Sequence, residues 1–300
     1  MYFCNVLYYR RKILLALLQV FGGKLSAIQL QKYLFLFTRN QDVRAFDFVP
    51  YRYGCFSFQA NQDISTMQKY GYVDYDDNNI WLLTKDDYIT TLNMFDQCYL
   101  RQVISEFGNM EQTELIRYTY QHYPYYATKS HIAKSIMTKE EMDRIYKQQK
   151  RYDSSMLFTI GYEGLSLEAY INRLIINDIR LLCDVRKNAY SQKYGFSKAQ
   201  LETACRGVDI KYIHVPQLGI NSDQRHDLRS QKDYDILFDI YERTTLKENA
   251  DALNYVRGLI DSEKRVALTC FEKDPKQCHR SRVAKALMAL PNKDYSFKAL

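Results

Sequence analysis

The stretch RVALTCFEKDPKQCHRSRVAKAL, residues 265–287, decides the reading of the C-terminal half. RVALTCFE reads as a buried strand and CHRSRVAKALMAL as an amphipathic helix, so a strand ending at Cys270 meets a helix beginning near Arg280. That helix start carries Cys278, His279, Arg280 and Ser281. Helix N-termini have unpaired N–H groups and a partial positive charge, which hold anions and lower the pKa of a nearby thiol. Arg280 adds a fork that suits bidentate anion binding. The junction therefore predicts an anion pocket, with phosphate as its leading ligand.

Upstream of this stretch, strands and helices alternate. MLFTIGYEG (156–164), IRLLCDVRKNA (179–189) and IKYIHVPQLGI (210–220) read as strands. SLEAYINRLIIN with Ser166 as N-cap, SKAQLETACRG and residues 233–261 read as helices. The pattern predicts an α/β domain over residues 153–300, with a mostly parallel sheet flanked by helices on both faces. Ligands of such sheets bind at the carboxyl ends of the strands. The four strand ends deliver Thr159, Gly161, Tyr162 and Glu163; Asp184, Arg186 and Lys187; His214 and Gln217; and Cys270, Glu272 and Lys273.

These types suggest roles. Asp184, His214 and Glu272 are candidate general acids or bases, and Cys270 or Cys278 a candidate nucleophile. Thr159, Gly161, Tyr162, Arg186, Lys187, His279, Arg280 and Ser281 are candidate substrate-binding residues. Blander readings stand beside these: Asp184 and Arg186 alternate along a strand and fit an ion pair, while His214 and Cys270 fit a core. Cys278 and His279 are neighbours whose side chains would point apart on a helix, and no CxxH or HxxxH spacing supports them, so no metal is predicted. The sequence names no cofactor. Two loops, 187–196 and 222–232, the second with Arg225, His226 and Arg229, are basic, polar and in part aromatic. They suit a nucleotide or nucleic-acid backbone, and equally an ordinary solvated surface.

LLCDVR together with the Cys270–Arg280 segment resembles the rhodanese and cysteine-phosphatase architecture, in which five residues separate the loop's Cys from its Arg. Here nine residues separate Cys270 from Arg280, so the phosphatase cradle does not carry over. TIGYEG, LLCDVRKNAYSQKYGF, IKYIHVPQLGI and CFEKDPKQCHRSRVAKAL more closely resemble, in order, four blocks of the family known as domain of unknown function 488. That resemblance covers residues 157–290 and implies a shared pocket of Thr159, Gly161, Asp184, Arg186, His214, Glu272, Cys278, His279 and Arg280. It implies no reaction.

The first half, residues 1–152, has another texture. ILLALLQVF and IQLQKYLFLF carry helical spacing on either side of Gly22 and Gly23, which predicts helix, turn, helix. FDFVPYRYGCFSF follows, then a helical stretch over 59–70, then GYVDYDDNNIWLLT, read as a hairpin turning at Asp76–Asn79. Residues 111–150 read as a surface helix leading into a linker. The whole suggests a mainly helical, winged-helix-like domain. VPYRYGCFSFQANQDISTMQKYGYV resembles the signature of Panacea (SocA-like) antitoxin domains, over roughly residues 8–130, with Cys55 where that family usually has Pro. The resemblance implies a module that binds nucleic acid or a protein partner, often beside a toxin or defence effector.

Composition bounds these readings. Three hundred residues with 46% hydrophobic content suit two globular domains. The formal charge of +7, spread over both halves, permits nucleic acid or anionic metabolites as partners without requiring them. Twenty-seven tyrosines against one tryptophan supply phenols that can bond at pocket rims. The seven cysteines, at 4, 55, 98, 183, 205, 270 and 278, have no CxxC spacing, which argues against a disulfide framework and fits a cytoplasmic protein. The longest N-terminal apolar run, Ile13–Leu18, is too short to span a membrane. Three functions remain in play: an enzyme acting on a phosphate-bearing nucleotide or nucleic acid, a non-catalytic binder that senses an anionic ligand, and sulfur transfer by Cys270.

Overall fold

Apolar runs bounded by Gly, Ser and Asn caps set the elements of the N-terminal half. A computed structural model describes residues 7–221, 224 and 228–300; Cys4, Arg225 and His226 lie outside these. The chain divides into two units, residues 1–149 and 150–300. In the first, α1 (Tyr9–Val20) buries Ile13–Leu18 entirely, and α2 (Ala27–Arg39) starts at a capping box in which Ser26 accepts from Gln29 N–H. The link between them is more than the expected turn. Lys24–Ser26 forms β1, which pairs antiparallel with β5 (Asn79–Leu82), itself paired with β4 (Val73–Tyr75). The predicted hairpin thus gains a third strand because its open edge has backbone groups to satisfy. A second hairpin, β2 (Val49–Tyr51) and β3 (Gly54–Phe56), precedes α3 (Phe58–Lys69).

The helices α4 (Met94–Phe107) and α5 (Gln112–His122) complete the main core with α1 and α2. Residues 111–150, expected as one surface helix and a linker, instead form α5, α6 (Ala133–Ile136) and α7 (Lys139–Gln148). These share a small core of their own, with Ile116, Tyr120, Ala133, Met137 and Ile145 buried together. Apolar residues too sparse for a long amphipathic stripe still suffice for three short helices that bend back on one another.

The second unit is the predicted α/β domain. Its strands β6 (Met156–Gly161), β7 (Leu181–Asp184), β8 (Lys211–His214), β9 (Arg265–Cys270) and β10 (Ser296–Ala299) form one sheet in the order β10-β6-β9-β7-β8, all parallel. The fifth strand was not foreseen, since SFKA is exposed at every position and lies on an edge. The helices are α8 (Leu167–Ile176), α9 (Lys198–Arg206), α10 (Gln231–Tyr241), α11 (Ala250–Glu263) and α12 (His279–Ala289). The helical stretch expected over 233–261 is present as α10 and α11, joined through a wider helical turn at Glu242–Leu246. All six residues of β9 are buried, as befits a central parallel strand covered on both faces.

Ser166 caps α8 by accepting from Ala169 N–H at 3.0 Å. Ser166→Ala is expected to lower stability by about 1 kcal/mol and Ser166→Asp to retain it, read from urea denaturation midpoints. Among the described residues, no helix is long and apolar enough to cross a membrane.

Candidate functional site

Successive residues of a strand point to opposite faces of the sheet, so the strand ends cannot all deliver side chains into one pocket. β9 lies between β6 and β7, and its register sets Cys270 beside Gly161 and Thr269 beside Asp184. Leu268 and Cys183 belong to the core with α12, while Thr269 accepts a hydrogen bond at 2.7 Å from Tyr170 of α8. Asp184 and His214 are neighbours in register on this second face. The single expected set of strand-end residues therefore divides into two clusters.

The cluster around Asp184 is an internal ion-pair network. Asp184 is fully buried and accepts from Arg186 Nε at 2.8 Å, from Arg186 Nη2, from the Arg186 amide at 3.1 Å and from Tyr212 O–H at 2.7 Å. The remaining guanidinium nitrogen, Nη1, donates to Tyr162 Oη at 2.8 Å and to the Phe196 carbonyl at 2.9 Å. Burial opposes the charge on Arg186, but the hydrogen bonds and charge of Asp184 outweigh it and raise its pKa further. Burial and Asp184 likewise push the Tyr212 phenol upward. Every nitrogen of the Arg186 guanidinium is thus bonded within the fold, with Asp184 as its counter-ion. His214 Nε2 lies 2.8 Å from the Arg186 carbonyl and props the same loop.

Other predicted binding residues also face inward. Thr159 is a buried strand residue whose carbonyl accepts from Leu300 N–H. The Tyr162 ring stacks on Phe196 with centroids 4.3 Å apart. Arg280, 1% exposed, donates from Nη1 and Nη2 to the carbonyls of Glu272 and Lys273 and holds the loop after β9, while its buried Nε has no partner among the described residues. Ser281 Oγ lies 2.6 Å from the Pro275 carbonyl and ties down the same loop. Gly161 is required at its position, because a Cβ there would sit 1.9 Å from the Glu272 carbonyl oxygen. Lys187 is exposed, and its backbone lies against Gly219, where a Cβ would meet the Lys187 amide at 2.1 Å.

The second cluster lies between β9 and α12. Cys270 Sγ is 3.3 Å from Glu272 Oε2 and 3.6 Å from His279 Nδ1. His279 Nε2 is 2.9 Å from the Val185 carbonyl, which can only accept, so a neutral ring carries its proton on Nε2 and turns the Nδ1 lone pair toward the thiol. The expectation that Cys278 and His279 point apart fails for a local reason. Cys278 is the N-cap, with extended backbone at φ −129° and ψ 131°, and only His279 is helical. Its thiol consequently turns back to join Cys270 and His279, and the three donor atoms lie within 4.8 Å of one another. Burial, then Cys270, pushes the Cys278 thiol well above its ordinary pKa. Glu272 is half-buried at the rim.

Tyr212, Phe196, Tyr170 and the Val185 carbonyl were not singled out in the sequence. A phenol at i−2 from His214 on one strand was the available signal for Tyr212, since both must share a face.

Residues 166–287 match the family described as Domain of unknown function DUF488. The matched segment runs from the cap of α8 through most of α12 and contains both clusters except Tyr162. No curated protein matches the chain. The segment leaves out β6, so Gly161, whose lack of a side chain admits the Glu272 backbone, comes from outside it.

Proposed function

We propose that the C-terminal unit is an enzyme acting on a phosphate-bearing substrate, a nucleotide or nucleic acid. The observation that carries this reading is the convergence of Cys270, Glu272 and His279 at the carboxyl end of the central strand, with the histidine oriented by a backbone carbonyl. Glu272 is the candidate for proton transfer, half-buried and in contact with the thiol. Anion binding falls to a cleft of about 420 Å³ along the start of α12, lined by Lys276, Ser281, Arg282 and Lys285 with Asp235. Arg282 and Lys285 there pair with Glu242 at 3.3 and 3.8 Å, contacts that a phosphate would compete with, and Lys276 adds a third cation.

Incubating the full chain with a panel of nucleotides and short oligonucleotides, with product analysis, tests the reading. Turnover of one class is expected, falling about 100-fold or more in Glu272→Gln. Lys285→Ala is expected to raise KM with little change in kcat. No product and no thermal shift across the panel would remove the proposal.

A second reading has its own support in the N-terminal unit. A cleft of about 490 Å³ there is lined by Tyr8, Arg10, Arg44, Phe95 and Tyr99 together with Asp42 and Asp96, with Val43 87% exposed on its rim. Aromatic and cationic groups together suit a nucleic-acid or protein partner, in the defence or antitoxin setting that the Panacea resemblance implies. In this reading the chain is a binder and the C-terminal site senses an anion. DNA affinity that falls steeply with salt, without turnover of any substrate, would favour it.

A further inference from the structure

We infer that Cys270, Cys278 and His279 form a binding site for a thiophilic divalent cation of the zinc class. The donor set is two sulfurs and one imidazole nitrogen, the ligands such an ion selects over oxygen-rich alternatives. The spacing fits. An ion with Zn–S near ~2.3 Å and Zn–N near ~2.05 Å in tetrahedral geometry holds S and N about 3.6 Å apart. Cys270 Sγ and His279 Nδ1 are 3.6 Å apart before any ion is present, and the third donor lies within 4.8 Å of both.

The surroundings fit as well. The Val185 carbonyl holds the proton of His279 on Nε2 and aims Nδ1 at the thiols, the outer-shell arrangement that orients metal-bound histidines. Each donor sits on a rigid support: Cys270 ends the central strand, Cys278 caps α12 and His279 opens its first turn. Exposures of 2%, 0% and 2% leave the cluster inside a dry shell, where thiolates without a cation would be strongly disfavoured. Binding releases the two thiol protons to solvent, and the two thiolate charges balance the dication.

Three protein donors leave one tetrahedral position unfilled. Sites closed by four protein ligands are structural, whereas three ligands and an open position characterise catalytic zinc. Glu272 is not part of the three-donor group but touches Cys270 Sγ at 3.3 Å. The metal's catalytic role rests on the enzyme reading above; its binding rests on the geometry alone.

Cobalt titration of the reduced, chelator-stripped full chain is the test. One equivalent per chain is expected, with a near-ultraviolet thiolate-to-cobalt band that zinc abolishes by displacement. In Cys278→Ser and His279→Ala the affinity is expected to drop about tenfold or more, and in Cys98→Ser to stay unchanged, because Cys98 is an exposed residue of α4. Zinc should also protect Cys270 and Cys278 of the unsubstituted chain, but not Cys98, from alkylation read by mass spectrometry, a measurement that no folding defect can blur. Absence of the charge-transfer band, or alkylation of Cys270 and Cys278 that zinc leaves unchanged, overturns the site. A bound ion without turnover would keep the site and count against the enzyme.

Discussion

Replacing Asp184 by alanine is expected to lower the stability of the C-terminal unit by about 3–5 kcal/mol, because it leaves the Arg186 guanidinium buried without its counter-charge. Asp184 is 0% exposed and Arg186 5%, so water cannot take over the lost contacts without opening the loop between β7 and α9. Tyr212 would lose its acceptor at the same time. Removing both charges is a different matter. Apolar residues of similar volume can replace a buried pair at little net loss, so Asp184→Leu with Arg186→Met should recover most of the stability lost in Asp184→Ala. Urea denaturation followed by circular dichroism reads both. A loss below about 1 kcal/mol in Asp184→Ala would mean that the pair is hydrated and that Arg186 is available to a ligand after all.

Gly161→Ala is expected to be comparably severe, at about 3 kcal/mol or more, for a steric reason. The added Cβ would lie 1.9 Å from the Glu272 carbonyl oxygen and 2.8 Å from its carbon, and neither is the flexible end of a side chain. That backbone cannot retreat freely. Arg280 grips the Glu272 and Lys273 carbonyls, and Tyr162 and Glu163 donate to the Phe271 carbonyl. Any shift would also move Glu272 away from Cys270, so substrate turnover and cobalt affinity should be affected along with stability. Gly258→Ala supplies the contrast. Gly258 lies within α11 with nothing near its position, and alanine there is expected to stabilise by about 0.5–1 kcal/mol.

The alternation of strand and helix through the C-terminal half was legible because it depends on local patterns. A short apolar run bounded by turn residues makes a buried strand wherever it sits, and an N-cap serine acts on amides three residues away. β10 was illegible for the complementary reason: it is held by backbone pairing to β6, and its exposed side chains leave no hydrophobic signature. The three short helices after Glu111 were hidden because each supplies only one or two residues to their small core.

By itself, then, the sequence determined that residues 156–290 form an α/β domain and that chemistry-bearing side chains gather at the carboxyl ends of its strands. Tertiary structure alone decided what those side chains contact. An arginine at a strand end looks the same whether it meets solvent or a buried carboxylate, and the difference for Arg186 and Arg280 is made by Asp184, Phe196 and the Glu272 carbonyl closing around them. The cysteine cluster turned on a smaller matter still. One residue's displacement of the helix start left Cys278 extended, bringing its thiol to Cys270 and His279 where helical geometry would have sent it away, and backbone angles at a cap depend on the packing of the whole loop.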